Sequence, residues 1–375
     1  MTAALRVLYV SPRATIGGPE RLMLDLVAGH DRAVVEPAVC FLEDGPLAEV
    51  CRRDLGVATH VLPATARDRR RPGRRLVQAV ADTVARSGAH LVHSATAAGH
   101  LAGGRAARRL GVRAVWFQHR LASWRSQVDR AAALVRSALI FATAAGAAEQ
   151  QRRVNPLRRR IAVVHPGTRL PTTSRSERRE RGRAALGLGD DAYVVGVVGR
   201  LIPEKGHATV LKATASLCRA RTARLVIVGA PLPGAGERYG AELRALAKQL
   251  GIADRVSFVG TQQDMGDCLA ALDVAVCAAS RKPFSMNAVE ALAAGTALVA
   301  GEEAGVAEIV TPGEDALLFP AGDHEALAAA LLFLCDDPDR RASLAAGGER
   351  TARTRFDMAA TVRKVEALYR DLGVA

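Results

Sequence analysis

Lysine is missing from the first 183 residues of this 375-residue chain, yet that stretch holds 32 arginines against 14 acidic residues, a balance of +18. The whole chain carries +14, so the remainder carries −4. Aromatic residues are only 4% of the chain. None interleaves with the arginine clusters, which excludes the stacking platforms of a single-strand or RNA binder, and no nucleic-acid partner is expected. No apolar run reaches the ~18 residues of a membrane-spanning helix. "LRVLYV" near the start is too short for the core of a secretion signal and runs into a Gly turn, so it reads as a first strand. The six cysteines (Cys40, Cys51, Cys218, Cys268, Cys277 and Cys335) have no paired spacing. That argues against a disulfide framework or zinc and for buried thiols in a reduced, cytoplasmic protein. His90 and His93 of "HLVH" fall on opposite faces of a strand, so no metal site is expected there.

What is present is globular: 49% hydrophobic and 24% charged residues, enough apolar material for two cores, in a chain longer than one ordinary domain. Basic residues cluster in "RDRRRPGRR" (67–75), "RRVNPLRRR" (152–160) and "RSERRERGR" (175–183). Two readings stand side by side. The clusters are a solvated surface built from Arg instead of Lys, or the front half docks on an anionic membrane leaflet.

Short apolar runs alternate with helical stretches. "RVLYV", "VEPAVCFL", "ATHVLPA", "AHLVHSA", "VRAVWFQH", "ALIFAT" and "IAVVHPG" read as strands of a first half. After a polar, Arg-rich link the pattern restarts near Tyr193 with "AYVVGVVGR", "ARLVIVGA", "RVSFVG", "DVAVCAA", "ALVAG" and "ALLFP". Alternation of this kind implies parallel sheets covered on both faces. The restart implies two doubly wound domains with a cleft between them, and ligands of such sheets bind beyond the carboxyl ends of the strands.

Several loops at strand ends carry chemistry. "GVVGRLIPEKGH" places Arg200 after a strand and Lys205 at a helix entry, two cations beside free helix-terminal amides, which suits a diphosphate. Read alone, the pair fits surface charges equally well. "LVIVGAPLPGAG" ends a strand in Gly229, where a small residue admits a flat ring, although the loop fits neither GxGxxG nor GxxxxGK[ST]. "RKPFSMNAVEALAAG" is a loop opening a helix from Met286 that stops at Gly295, with Glu290 one turn in, placed either to accept from a diol or as an ordinary helix-face carboxylate. In the first half, Gly17 and Gly18 of "IGGPE" permit close backbone approach or form a plain turn. His119, after "VRAVWFQ", stands at a strand end as an acceptor-side polar group or a structural histidine.

In chain order, "IGGPE", "VGRLIPEKGH", "LVIVG" with "ADRVSFVG", "FSMNAVEALAAGTALVA", "VTPGEDALLFPAGDHEALAAAL" and "RFDMAATVRKVEALY" resemble the retaining glycosyltransferases of the GT-B fold, in the large nucleotide-sugar group called family 4. The resemblance runs along nearly the whole chain and is strongest over 193–332. It implies two Rossmann-like domains facing a cleft: an acceptor-side domain over 1–175, a nucleotide-sugar domain over 176–355, and a last helix over 356–375 returning toward the first. It implies transfer from an NDP-sugar of UDP or GDP type to a hydroxyl acceptor, without metal or other cofactor. Arg200 and Lys205 match the family's diphosphate pair and Glu290 its ribose-holding glutamate. Phe284, Ser285, Met286 and Asn287 match the loop whose amides meet the donor sugar and phosphate. Gly229 and the stretch containing Val259 match the nucleobase wall. Gly17 and Gly18 match the glycine loop near phosphates and acceptor, and His119 falls where the family often has a histidine near the transfer site.

One position departs from the pattern. The first glutamate of the family's Glu-x7-Glu motif falls at 282, where this chain has Lys282. A lysine donates only and cannot replace an accepting carboxylate. Three readings follow: Lys282 pairs with an acidic donor sugar; it engages Glu290 or the phosphates while the backbone holds an ordinary donor; or transfer is weakened, leaving a sugar-nucleotide or partner binder on the same fold.

Overall fold

The computed structural model describes residues 4–155, 157, 160–189, 192–231, 234–280 and 283–373. They form two compact α/β units, one running to Gly167 and taken up again from Met358, the other Thr168–Asp357.

The first unit holds β1 (Leu5–Ser11), β2 (Val35–Phe41), β3 (Ala58–Val61), β4 (Leu91–Ser94), β5 (Arg113–Gln118), β6 (Leu139–Ala142) and β7 (Ile161–Val163), in the order β3-β2-β1-β4-β5-β6-β7. Every pair is parallel. Strands covered on both faces read as continuous apolar runs, and β4 and β6 are buried at every residue. The second unit holds β8 (Tyr193–Val198), β9 (Ala223–Val228), β10 (Val256–Gly260), β11 (Val274–Cys277), β12 (Ala297–Gly301) and β13 (Leu317–Phe319), ordered β10-β9-β8-β11-β12-β13 and again all parallel. Strand order reverses between β1 and β4 in one unit and between β8 and β11 in the other. Such reversals open crevices at the carboxyl ends of the strands.

The helix Met358–Asp371 completes the first unit through a buried polar chain. The Glu366 carboxylate accepts from His30 Nδ1 at 2.8 Å, Tyr9 Oη meets His30 Nε2 at 2.7 Å, Tyr369 Oη meets Tyr9 Oη at 2.9 Å, and His93 Nδ1 meets Tyr369 Oη. One orientation satisfies all four contacts: His93 Nδ1–H donates to Tyr369, Tyr369 to Tyr9, Tyr9 to His30, and His30 to Glu366. Val362 of this helix packs so tightly on Gly29 that a Cβ there would lie 2.8 Å from its Cγ2.

The stretch whose charge suggests a polar link is instead built into the second unit. It folds as the helix Arg175–Leu186, capped by a reciprocal Ser174–Glu177 box. Gly182 lies so close to the helix Met265–Ala270 that a Cβ would meet the Asp267 carbonyl oxygen at 2.1 Å. Its arginines are consumed locally. Arg179 and Arg183 both bind the buried Asp273, at 2.8 and 3.1 Å, and Arg183 also reaches the carbonyls of Ala271, Gly189 and Ala192. Arg181 forks onto Asp267 at 2.7 and 2.8 Å.

Candidate functional site

The reversal between β8 and β11 gathers most of the residues singled out in the sequence. Gly199 and Arg200 follow β8, and the chain then makes a short 3-10 turn (Pro203–Lys205) before the helix His207–Ala220. Gly206 joins the two at φ +73°, and a Cβ on it would lie 2.3 Å from the Ala278 carbonyl oxygen beyond β11. Both the backbone angle and the space demand glycine there. Ser280 N–H donates to the Glu204 carbonyl at 3.0 Å, tying the loop after β11 to the loop after β8.

Arg200 is exposed, and its side chain forms no ion pair or hydrogen bond among the described residues. Lys205 is half-buried. Its stem lies over Gly199, where an added Cβ would meet Lys205 Cδ, Cε and Cγ at 2.9, 3.0 and 3.2 Å. The missing side chain at Gly199 is therefore a groove that carries the ammonium past the end of β8. Behind this loop His207 is fully buried, its ring set against the backbone of Gly199 and Ile202. Burial pushes its pKa down to about 4, so the ring is neutral near pH 7 and adds no charge beside Lys205.

The loop after β11 opens the helix Met286–Ala293. Ser285 caps it, its Oγ accepting from Ala288 N–H at 3.4 Å and lying 3.0 Å from Cys277 Sγ. Asn287 donates through its side chain to the Val198 carbonyl at the end of β8, pinning the helix start to the strand reversal. Phe284 turns inward, edge-on to the buried Phe356 with centroids 5.8 Å apart. Its ring anchors the loop. Met286, Asn287 and Glu290 are half-buried on a helix otherwise sunk into the unit. Asn287 and Glu290, three residues apart, share one helix face, which puts Glu290 on the side that meets β8. Lys282 lies outside the described residues.

Gly229 follows β9 at φ +137°, and a Cβ there would strike the Gly199 carbonyl oxygen at 2.1 Å. Close approach of two strand ends, and not only room for a ligand, requires this glycine. Its N–H donates to the Gly260 carbonyl at 2.7 Å, next to Val259, whose own carbonyl is held by Gln262 Nε2 at 2.7 Å. Arg200, Lys205, Gly229, Val259, the stretch Phe284–Asn287 and Glu290 thus follow or close the carboxyl ends of β8, β9, β10 and β11 in one sheet.

The other three residues belong to the first unit. Gly17 precedes the helix Gly18–Gly29 in extended conformation, and the side of it that a Cβ would take is filled by the Glu20 carboxylate, 2.6 Å away. Glu20 is buried, which raises its pKa. Gly18 faces open space. His119 follows β5 and donates through Nε2 to the Ala95 carbonyl beyond β4 at 2.9 Å. That bond places the ring proton on Nε2 and leaves Nδ1 as an acceptor. Desolvation pushes the ring's pKa down to about 4, so it is neutral near pH 7.

Sequence reasoning passed over Gly199, Gly206 and His207. The clue for the first two was the spacing of "GRLIPEKG", where glycines flank both cations. No signal marked the buried histidine.

Comparison with known proteins now bears on this geometry. Residues 178–351 match the family Glycosyl transferases group 1, and residues 16–170 match Glycosyltransferase Family 4. The D-inositol 3-phosphate glycosyltransferase of Thermobispora bispora is 35% identical over 217 residues, 56% of this chain and 50% of its own length. The lipopolysaccharide core biosynthesis glycosyltransferase LpsD of Rhizobium meliloti is 36% identical over 193 residues, 52% and 53% of the two lengths. The chain spans about half the length of the relatives it matches. Anabaena HepE, solved in complex with UDP, shares the fold over 98% of this chain and 100% of its own, at 22% identity and a TM-score of 0.87. The two matches take up the two units one after the other, and the chain belongs to the family-4-like group 1 glycosyltransferases of the GT-B class.

Proposed function

We propose that the chain is a retaining glycosyltransferase, moving a sugar from an NDP-sugar to a hydroxyl acceptor: a glycan, a lipid-linked intermediate or a small molecule. The observation that carries the reading is the convergence of Arg200, Lys205 and the opening of the helix Met286–Ala293 on the β8–β11 reversal. Two cations and unsatisfied helix-terminal amides offset a leaving diphosphate, the role a metal fills elsewhere. Glu290 accepts from the ribose diol, and the amides of Phe284–Asn287 meet the donor sugar and phosphate. Gly229 and Val259 flank the base. Neutral His119 and the backbone at Gly17 and Gly18 serve the acceptor side. The departing phosphate oxygen takes the acceptor proton on the face the new bond forms, so the anomeric configuration is kept. HepE has also been solved with UDP-glucose, which makes UDP-hexoses the first donors to test, ahead of GDP-sugars. The basic first unit fits peripheral contact with an anionic cytoplasmic leaflet, where a lipid-linked acceptor resides; among the described residues no helix is long and apolar enough to cross a membrane.

The experiment is NDP binding and NDP release by wild type, Arg200→Ala and Lys205→Ala. Each substitution removes a charge-assisted contact of roughly 1.5–3 kcal/mol, so NDP affinity falls while the fold persists. Unchanged affinity in both variants would remove the diphosphate site. A second reading, a sugar-nucleotide binder with weak or no transfer, is favoured by Lys282 standing where the family has a glutamate. Tight NDP binding without NDP release from any uronic or neutral donor would favour it, and recovery of release with a neutral hexose donor in Lys282→Glu would locate the cause.

A further inference from the structure

The first unit contains a second concavity, of about 850 Å³, built from three elements. The short helix Ala66–Arg70 supplies Arg67 and Arg70, one turn apart, and the turn after it supplies Arg71. The helix Ala97–Arg109 supplies Leu101 and Arg105, one turn apart, and Arg105 Nη1 donates to the Pro72 carbonyl at 3.2 Å to hold the turn in place. The helix Gln127–Leu134 supplies Arg130 and an apolar stripe of Val128, Ala131 and Leu134. Arg71 reaches Gln127 across the rim.

Five guanidiniums therefore line the concavity together with the apolar side chains of Leu101, Val128, Ala131 and Leu134, and among the described residues no carboxylate lines it. Every nearby acid is committed elsewhere. Asp68 turns back to the Thr65 hydroxyl and caps its own helix. Buried Asp129 takes Arg120 at 2.9 Å and Ser123 N–H at 3.1 Å. Glu43 takes Arg69 at 2.9 Å, the one arginine of this turn that points away. None of the five lining arginines forms an ion pair among the described residues. Like charges gathered without counter-charges repel, a cost that a bound anion reverses. Guanidinium forks match phosphate oxygens two at a time.

We propose that this concavity binds the phosphate or diphosphate group of an amphiphilic molecule, with the arginines on its oxygens and its apolar part on Leu101, Val128, Ala131 and Leu134. It deepens the transferase reading, and rests on it only for the idea that the molecule is the acceptor or its carrier. Binding itself does not depend on sugar transfer. The phosphate belongs either to a lipid headgroup or to a soluble phosphoester.

The test uses the full chain. With the proposed donor diphosphate site removed throughout by Arg200→Ala/Lys205→Ala, inorganic pyrophosphate is titrated calorimetrically into the chain with its cavity intact, into Arg67→Ala/Arg70→Ala/Arg130→Ala, and into Arg53→Ala/Arg152→Ala/Arg153→Ala, which removes the same charge from the same unit away from the cavity. Affinity is expected to fall by at least about tenfold in the first variant and by much less in the second. Equal weakening in both, or no binding by the chain with its cavity intact, overturns the site. The counterpart Arg67→Lys/Arg70→Lys/Arg130→Lys keeps charge and fold but loses the forks. It is expected to bind between the extremes, and affinity equal to that of the intact cavity overturns fork recognition. Co-sedimentation with phosphatidylcholine vesicles, with and without phosphatidic acid, separates the sources. Recruitment by the acidic vesicles that is lost only in the cavity variant assigns the site to a headgroup; pyrophosphate binding without recruitment assigns it to a soluble phosphoester. NDP release from donor alone, with no acceptor added, is read separately on the wild-type chain. Its absence counts against the transferase reading and leaves the cavity result standing.

Discussion

Arg67, Arg70 and Arg71 in the first unit and Arg179, Arg181 and Arg183 in the second come from clusters of similar composition. The structure treats them oppositely. Around the first-unit cavity the guanidiniums have no carboxylate partners among the described residues. In the helix Arg175–Leu186 they close on Asp273, Asp267 and a set of strand-end carbonyls. One cluster holds its unit together, and the other is charge held in reserve for something outside. What separates them is the position of acids distant in sequence: Asp267 and Asp273 lie within reach of one, whereas Glu43 and Asp129 are drawn off from the other by Arg69 and Arg120.

The sharpest test of that contrast is Arg183→Ala. It strips the buried Asp273 of one partner and several carbonyls of their donor, so the second unit loses about 3–5 kcal/mol, read as a shift in the urea midpoint. A loss near zero would erase the distinction between the clusters. Acid ranks next and sharpens the comparison of the two units. Burial holds His93 well below its usual range, pushes His100 down to about 3, and leaves His119 and His207 at about 4. Each folded value lies below the unfolded one near 6.5, so the unfolded chain takes up the proton first. Stability is complete above pH 6.5 and falls toward pH 4, by about 1.4 kcal/mol per pH unit for each fully buried ring. Three of these rings, the partly exposed His119 counting for less, belong to the first unit and one to the second. The first unit is expected to unfold first on acidification. Both tryptophans, Trp116 and Trp124, lie in it, so a fluorescence transition at or below the pH of loss of overall helicity would contradict this. Arg181→Ala, at the exposed fork on Asp267, should cost less than Arg183→Ala, and the difference from wild type should shrink in high salt. Smallest of all, Arg70→Ala should change stability by no more than about 0.5 kcal/mol in either direction; a larger loss would mean that the cavity arginines are structural after all.

The two sheets were legible because parallel strands covered on both faces read as apolar runs, from "RVLYV" to "ALLFP", separated by turn residues. Arg200 and Lys205 were legible as cations following a strand, and Glu290 as a carboxylate one turn into a helix. What could not be read depends on contacts between distant positions. Gly229 suggests room for a ring, but its nearest constraint is the carbonyl of Gly199. Phe284 belongs to a loop by its neighbours and to the core by its contact with Phe356. The helices Gln127–Leu134 and Ala145–Val154 are alanine-rich, with too few large apolar side chains to show a clear period. The pairing of Tyr9 with Tyr369 spans nearly the whole chain and leaves no local trace.

That pairing has a consequence for how the protein is made. Domains usually fold in the order in which they leave the ribosome, but the first unit is not complete when its own 167 residues have emerged. Tyr9, His30 and His93 must wait for Glu366 and Tyr369, while the second unit, contiguous in sequence, is already whole. The unit begun first is therefore finished last, and until then its buried tyrosine and histidines lack the partners that make their burial tolerable.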